Sequence, residues 1–277
     1  MENKGIVFGK GFLGTRIAQE LSYKQAGYDT NPLELENLRD YLEMEKPLVV
    51  INGIGKTGRP NIDWCETHKT ETVYSNVIAA VNLSMECAER GIYFVHLGSG
   101  CVYEGDNNGK GFSEDDEPNF RDSFYSRTKI ISEKLLREFP GLILRIRMPI
   151  DDRPNPRNLI DKLLSYKKII DVQNSMTTVP DMIRGLEVLI NRRRDGIYNM
   201  VNPGVASAKE IMEMYRGIVD SSHFFEIFTL DDLEKVTVAR RSNCRLSSEK
   251  LRQEGIEFPE IHLAVQECLN KYKEYKR

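Results

Sequence analysis

The 277-residue chain has no long apolar run, and so no helix that could cross a bilayer is expected. Cysteine and histidine are sparse, at five and four. Cys65, Cys87, Cys101, Cys244 and Cys268 show no CxxC spacing, and no histidine cluster lies beside them. That pattern argues against a disulfide framework and against a metal site. A large excess of one charge is also missing. A net charge of −3 argues against a general nucleic-acid binder, although a local basic surface can still receive a phosphorylated ligand. The start, MENKGIVFGKG, enters a buried strand at once and leaves no room for a charged head, an apolar stretch and a cleavage site. A cytoplasmic enzyme is expected, with no membrane and no nucleic acid among its partners.

What is present is an alternation of short apolar runs with helical periodicity. Runs at 5–8, 48–51, 93–97 and 142–146 alternate with helical patterns from about 14, over 71–90 and over 123–138. Continuous apolar strands separated by helices mark an α/β fold with a doubly wound parallel sheet of Rossmann type. The segment between the first helix and Leu48 is short and polar, and the second strand is expected near Tyr28. Beyond Met148 a loop over 151–156 precedes a helix at 158–167, a second helix at 181–193 and a strand at 196–200. The expected division is 1–147 plus 181–202 for the nucleotide-binding domain. A smaller, discontinuous substrate lobe would take 148–180 plus 203–277. Chemistry belongs just past the carboxyl ends of the strands.

Gly9-Lys10-Gly11-Phe12-Leu13-Gly14 follows a strand and opens a helix, the context that gives a GxGxxG run meaning. Its glycines permit a tight turn and close backbone approach, so that a pyrophosphate can sit on the helix N-terminus. Asn52, after the strand at 48–51, is placed with it at the cofactor. Asp29 falls where an acidic residue would hold the adenosine ribose, whereas Lys10 would favour a 2′-phosphate. The cofactor expected is NADPH, with NADH left open.

Tyr125-Ser126-Arg127-Thr128-Lys129 sets a tyrosine and a lysine four apart on one helix face. A phenol with an ordinary pKa near about 10 needs a neighbouring cation to act at neutral pH, and Lys129 supplies one. Ser99, just past the strand at 93–97, adds a hydroxyl donor for a carbonyl. Cys101 is two residues further on. From composition alone it reads as a small buried residue, and beside Ser99 and Tyr125 it reads as a tunable acid or base. His96 precedes the strand end and reads as structural.

Together GxGxxG, the serine and YxxxK resemble an extended short-chain dehydrogenase/reductase. The runs TGRPNIDWCETHKTET, GSGCVYE, EPNFRDSFYSRTK, LRIRMPI, NPRN and ARRSN resemble more closely the epimerase/reductase half of plant rhamnose synthases. That resemblance implies 3,5-epimerisation and 4-reduction of UDP-4-keto-6-deoxy-glucose to UDP-L-rhamnose. It also implies catalytic roles for Ser99, Cys101, Tyr125 and Lys129, with Lys162 as the second epimerisation group. Ser-x-Cys is similar to the arrangement in GDP-fucose synthase, another epimerase/reductase. Dehydratases of the superfamily carry Thr-Asp-Glu where this chain has Ser99-Gly100-Cys101. A separate 4,6-dehydratase is therefore expected to supply the ketone. Arg59, Asn61, Asn76, Arg157, Asn158, Arg241 and Asn243 are the expected substrate contacts, and Trp64 reads either as a contact or as a core plug. By analogy a homodimer is expected. Two rivals stay open: a dTDP-4-dehydrorhamnose reductase without epimerase activity, and a regulatory subunit that binds NADP without turnover.

Overall fold

A computed structural model describes residues 5–27 and 30–276. The chain begins with β1 (Gly5–Phe8), α1 (Phe12–Glu20), β2 (Lys24–Gln25), α2 (Leu35–Glu45) and β3 (Val49–Asn52). Next come α3 (Asp63–Thr67), α4 (Lys69–Val73), one π-helical turn (Tyr74–Ile78), α5 (Ala79–Glu89), β4 (Tyr93–Ser99), α6 (Phe124–Leu136) and β5 (Leu142–Ile146). The rest comprises β6 (Pro149–Ile150), α7 (Leu159–Leu164), β7 (Lys168–Ile170), β8 (Thr177–Thr178), α8 (Val179–Asn191) and β9 (Gly196–Asn199). It ends with α9 (Ala208–Ile218), β10 (Glu226–Phe228), α10 (Leu230–Val236), α11 (Glu249–Gln253) and α12 (Ile261–Glu274).

Among the described residues, six strands form the main sheet in the order β2-β1-β3-β4-β5-β9. β1 pairs in parallel with β2 and β3, and β3 with β4, in registers such as Ile6 to Val50 and Val50 to Phe94. This is the expected doubly wound arrangement. Every residue of β1 and β3 is buried, which explains why these strands read as unbroken apolar runs. Two expectations change. The second strand is the short Lys24–Gln25 pairing rather than a strand near Tyr28, and Tyr28 and Asp29 lie outside the described residues. The helix expected over 71–90 starts at Lys69, just after His68, runs to Glu89 and contains the π turn, which carries Asn76.

The chain divides into two units: Met1–Val102, Arg121–Leu144 and Leu189–Ile197, and then Tyr103–Phe120, Arg145–Val188 and Tyr198–Arg277. The first packs Ile6, Phe8, Val50, Leu83, Phe94 and Ile143 into one core. The second packs Ile150, Ile160, Ile211, Met212, Val265 and Leu269, largely beneath α9 and α12. In α9, Ser207 and Glu210 form a reciprocal capping box that satisfies two end N–H groups.

In this division 103–120, 145–147, 181–188 and 198–202 fall with the second unit, where the expected division has them in the first. Gly105 bridges Cys244 and Phe112 bridges Leu246. The Arg145 guanidinium lies over the Tyr103 ring at 5.2 Å. Asn199 Nδ2 donates to the carbonyls of Phe112 and Ser247, both at 3.0 Å. None of these partners is near in sequence.

Leu83 is fully buried in the first core, whereas Met85 on the same helix is 40% exposed. Leu83→Ala is expected to cost about 2–5 kcal/mol in urea unfolding. Met85→Ala should stay within about 0.5 kcal/mol.

Candidate active site

At the end of β1 the backbone turns sharply at Gly9, whose φ is +101°, a conformation that favours glycine. A Cβ at Gly14 would stand 2.1 Å from the Gly9 carbonyl oxygen, so the turn closes directly onto α1. Gln25 Nε2 supports the turn by donating to Gly9 O at 3.3 Å and to Thr15 Oγ1 at 3.0 Å. Gly11 caps α1 without a side-chain hydrogen bond, and a Cβ built on it would meet only open space. The result is a cradle of backbone N–H groups at the start of a nine-residue helix, which fits a pyrophosphate. Phe12 and Leu13 are half-buried in that first turn, and Lys10 is exposed beside it.

Around the carboxyl end of β4 the first unit gathers Ser99, Cys101, Tyr125 and Lys129. Ser99 is 5% exposed, and its Oγ accepts from Cys101 N at 3.1 Å. The next link runs into α6. Ser123 caps that helix by accepting from Ser126 N at 3.1 Å, and Ser126 Oγ donates to the Cys101 carbonyl at 2.6 Å. The same cap that starts the helix of Tyr125 and Lys129 therefore fixes the backbone of Cys101. Cys101 is partly exposed, whereas the other four cysteines are buried, and none of the five is in a disulfide.

Lys129 is 6% exposed, and its Nζ lies 3.3 Å from Leu97 O and 3.4 Å from His96 Nε2. Burial pulls its pKa from the ordinary lysine value down to about 8, against the opposing pull of the Glu133 and Cys101 charges. Burial, followed by the Lys129 charge, holds His96 well below its usual range. Both shifts follow from the cost of placing a charge away from water.

The side chains of three asparagines expected at ligands are engaged within the protein. Asn52 is fully buried: Oδ1 accepts from Ile54 N at 3.0 Å, and Nδ2 lies 3.0 Å from His96 Nδ1. Asn76 is equally buried. It accepts from Lys56 N at 2.7 Å and donates to Lys56 O at 3.1 Å and Thr128 Oγ1 at 3.2 Å, tying the segment after β3 to α6. Asn158 caps α7 and donates to the carbonyls of Asp151 and Arg153, both at 3.0 Å. Each holds backbone in place, as a buried amide must.

Arg59 is exposed in the loop after β3, and Asn61 Oδ1 accepts from Asp63 N at 2.9 Å, shaping the turn into α3. Trp64 is no core plug: half-buried, it stacks on His68 with ring centres 4.0 Å apart. Lys162 and Arg157 are both partly exposed on or beside α7, in the second unit. Arg241 and Asn243 are partly exposed in that unit as well. Two buried residues that sequence reasoning missed hold this segment. Asn174 Nδ2 donates to Asn243 Oδ1 at 2.9 Å, while Arg147 bonds to Ser242 O at 3.1 Å and to Asn174 Oδ1. Arg145 and Arg147 interrupt an otherwise apolar stretch, and charges there signal a buried network.

The fold and the β4–α6 cluster together define a Rossmann-type α/β protein of the extended short-chain reductase kind. A family model described as the RmlD substrate-binding domain matches residues 6–274, and the chain belongs to that family. It is 44% identical over 238 residues to a bifunctional dTDP-4-dehydrorhamnose 3,5-epimerase/reductase of Arabidopsis thaliana, covering 83% of this chain and 78% of that protein. A trifunctional plant UDP-glucose 4,6-dehydratase/3,5-epimerase/reductase, also of A. thaliana, is 40% identical over 97% of this chain, which spans 41% of that longer protein. Among solved structures, the L780 UDP-rhamnose synthase of Acanthamoeba polyphaga mimivirus superposes with a TM-score of 0.91 at 32% identity, covering 96% of this chain and 98% of that one. Among the described residues no helix is long and apolar enough to cross a membrane.

Gly11→Ala is expected to fold with unchanged stability and to weaken NADPH binding about tenfold or more, measured by nucleotide fluorescence, because its methyl enters the space beside the helix end. Gly14→Ala should lose stability and binding together. A second prediction concerns Lys129. Its folded pKa, about 8, lies below its unfolded value. Between the two the unfolded chain binds more protons, so stability rises with pH across that interval, while below pH 8 the full cost of the buried ammonium is carried. Lys129→Met is thus expected to be more stable than the parent at pH 7, by on the order of 2 kcal/mol. That margin should shrink towards pH 10 in urea midpoints; a margin that stays constant would contradict the assignment.

Proposed function

We propose that the protein is an NADPH-dependent nucleotide-sugar reductase that also epimerises its substrate, converting UDP-4-keto-6-deoxy-D-glucose to UDP-L-rhamnose. The carrying observation is the hydrogen bond from Ser126 Oγ to Cys101 O, which sets a partly exposed thiol beside Ser99 and the Tyr125–Lys129 helix. The names of the plant and viral relatives agree with a rhamnose-forming reaction.

The carbons flanking a sugar 4-ketone bear acidic hydrogens, and inverting them needs one group to remove a proton and another to return it on the opposite face. Cys101 takes the first role, and Lys162 on α7 the second. Ser99 Oγ already accepts from Cys101 N, which leaves its own proton to donate to the ketone oxygen. Tyr125 donates to the same oxygen, steadying the enolate during epimerisation and giving up its proton when that oxygen becomes an alcohol. NADPH bound at the Gly9–Gly14 turn supplies the hydride. Lys129 lies one helical turn from Tyr125 and provides the neighbouring charge that a phenol needs at neutral pH. Arg59, Asn61, Arg157, Arg241 and Asn243 are the remaining candidates for the nucleotide and sugar, since guanidinium groups suit a pyrophosphate. A separate 4,6-dehydratase provides the ketone, and the enzyme works in the cytoplasm.

The deciding experiment is product analysis by NMR after incubation with UDP-4-keto-6-deoxy-glucose and NADPH, with a dTDP-linked ketone run in parallel. Rhamnose is the expected product. Oxidation of NADPH without rhamnose would mean a reductase alone, and no oxidation with any 4-keto sugar would mean a non-catalytic binder. Cys101→Ala is expected to lower epimerisation by about 10²–10⁴-fold while still reducing the pre-epimerised ketone. Tyr125→Phe should slow reduction of either ketone by a comparable factor.

A further inference from the structure

The side chains of Asn52, His96 and Lys129 form a buried row from the end of β3, across β4, to α6. Its direction can be read from the backbone. Ile54 N–H needs an acceptor and finds it in Asn52 Oδ1 at 3.0 Å, so the amide cannot turn over without opposing two donors. Asn52 Nδ2 therefore faces His96, 3.0 Å from Nδ1, and must donate to it. An imidazole that accepts at Nδ1 is neutral and carries its proton on Nε2. That nitrogen is 3.4 Å from Lys129 Nζ. An ammonium there would set N–H against N–H, whereas an uncharged amine can accept from Nε2 and still donate to Leu97 O at 3.3 Å.

We propose that Asn52 and His96 form a tautomer lock, in which Asn52 fixes the His96 proton on Nε2 and that proton favours the uncharged amine of Lys129. The lock rests on the reductase reading only for its use. When Tyr125 has given its proton to the sugar oxygen, a Lys129 N–H bond breaks as the Tyr125 O–H bond re-forms. The lone pair left on Nζ accepts from His96 Nε2–H, and a proton from water later restores the ammonium. Other groups act on the same amine in the opposite sense. Glu133, one turn further along α6, and Cys101 beyond β4 both favour the ammonium. Tyr125 stands one turn back on α6. His96 and Asn52 are thus positioning residues, acting on the reaction through Lys129.

The lock is testable without substrate. In ¹⁵N NMR of histidine-labelled protein, assigned through His96→Phe, His96 is expected as the Nε2–H tautomer from pH 6 to 9, with no cationic form. An Nδ1–H tautomer, a mixture or a cation in that range would overturn the proposal, whatever the enzyme's substrate proves to be. In the second arm the Lys129 ammonium is titrated by lysine ¹³Cε/¹⁵Nζ NMR. Asn52→Asp keeps an acceptor for Ile54 N and offers another to Nδ1–H, so His96 should switch tautomer and present a lone pair to Lys129. The Lys129 midpoint should then rise by about one unit or more. In a His96→Phe background the same Asn52→Asp change should move it far less. Equal shifts in both backgrounds would mean that the new carboxylate acts through space, and the lock would be wrong. Failure to oxidise NADPH with any 4-keto sugar, with both NMR results intact, would instead count against the reductase reading alone.

Discussion

Polar groups buried at the carboxyl edge of a parallel sheet have to be paired inside the protein, and most of the candidate site follows from that constraint. The apolar strands end in Asn52 and Ser99, both almost fully shielded from solvent. Leaving either unpaired would cost on the order of 1–3 kcal/mol, a sizeable share of a domain's stability. The partners come from neighbouring elements: His96 for Asn52, the Cys101 amide for Ser99, and Lys56 and Thr128 for Asn76. The Asn52 and Asn76 pairings join segments that are distant in sequence, so meeting the hydrogen-bond requirement also aligns β3, β4, the π turn and α6. Gly98 belongs to the same design, because a Cβ there would stand 3.0 Å from the Leu144 carbonyl of β5.

Periodicity and local motifs made much of this legible in the sequence. Gly9, Gly11 and Gly14 could be read as a strand-to-helix turn because their spacing is fixed by local backbone geometry. Tyr125 and Lys129 could be placed on one face because a helix turns every 3.6 residues. The asparagines were harder. Asn52, Asn76 and Asn158 read as ligand contacts in the sequence; in the structure each amide is engaged by the protein, and the side-chain partners of the first two are 44 and 52 residues away. A polar residue after a strand looks the same in sequence whether it meets a ligand or a neighbouring backbone. The unit boundary was hidden for the same reason: 103–120 is claimed by bridges to Cys244 and Leu246, which no local pattern announces.

The lysine of the helical pair shows one physical cost serving two ends. Burial makes the Lys129 ammonium expensive, which destabilises the folded chain below pH 8. The same burial brings its proton affinity near neutrality, where a group can both give and take a proton. An exposed lysine at this position would cost the fold nothing and would hold its proton too tightly to exchange it with a phenol during turnover. Glu133 and Cys101 oppose the effect of burial, so the protonation state is set by a balance among neighbours on α6 and just past β4.

Cys101 joins that balance through its backbone as well as its charge. Its amide is held by Ser99 and its carbonyl by Ser126, so the thiol projects from a peptide fixed on both sides. Ser126 is itself bonded to the cap residue Ser123, and Tyr125 lies between those two serines in sequence. For the proposed pair of reactions this matters, because proton removal beside a ketone and proton donation to its oxygen must act on one bound sugar without its release. A thiol on a loose loop could reach the flanking carbon only by adding a conformational search to every turnover. Anchoring Cys101 to the first turn of the helix that carries Tyr125 removes that search, since both groups are then placed by the same cap.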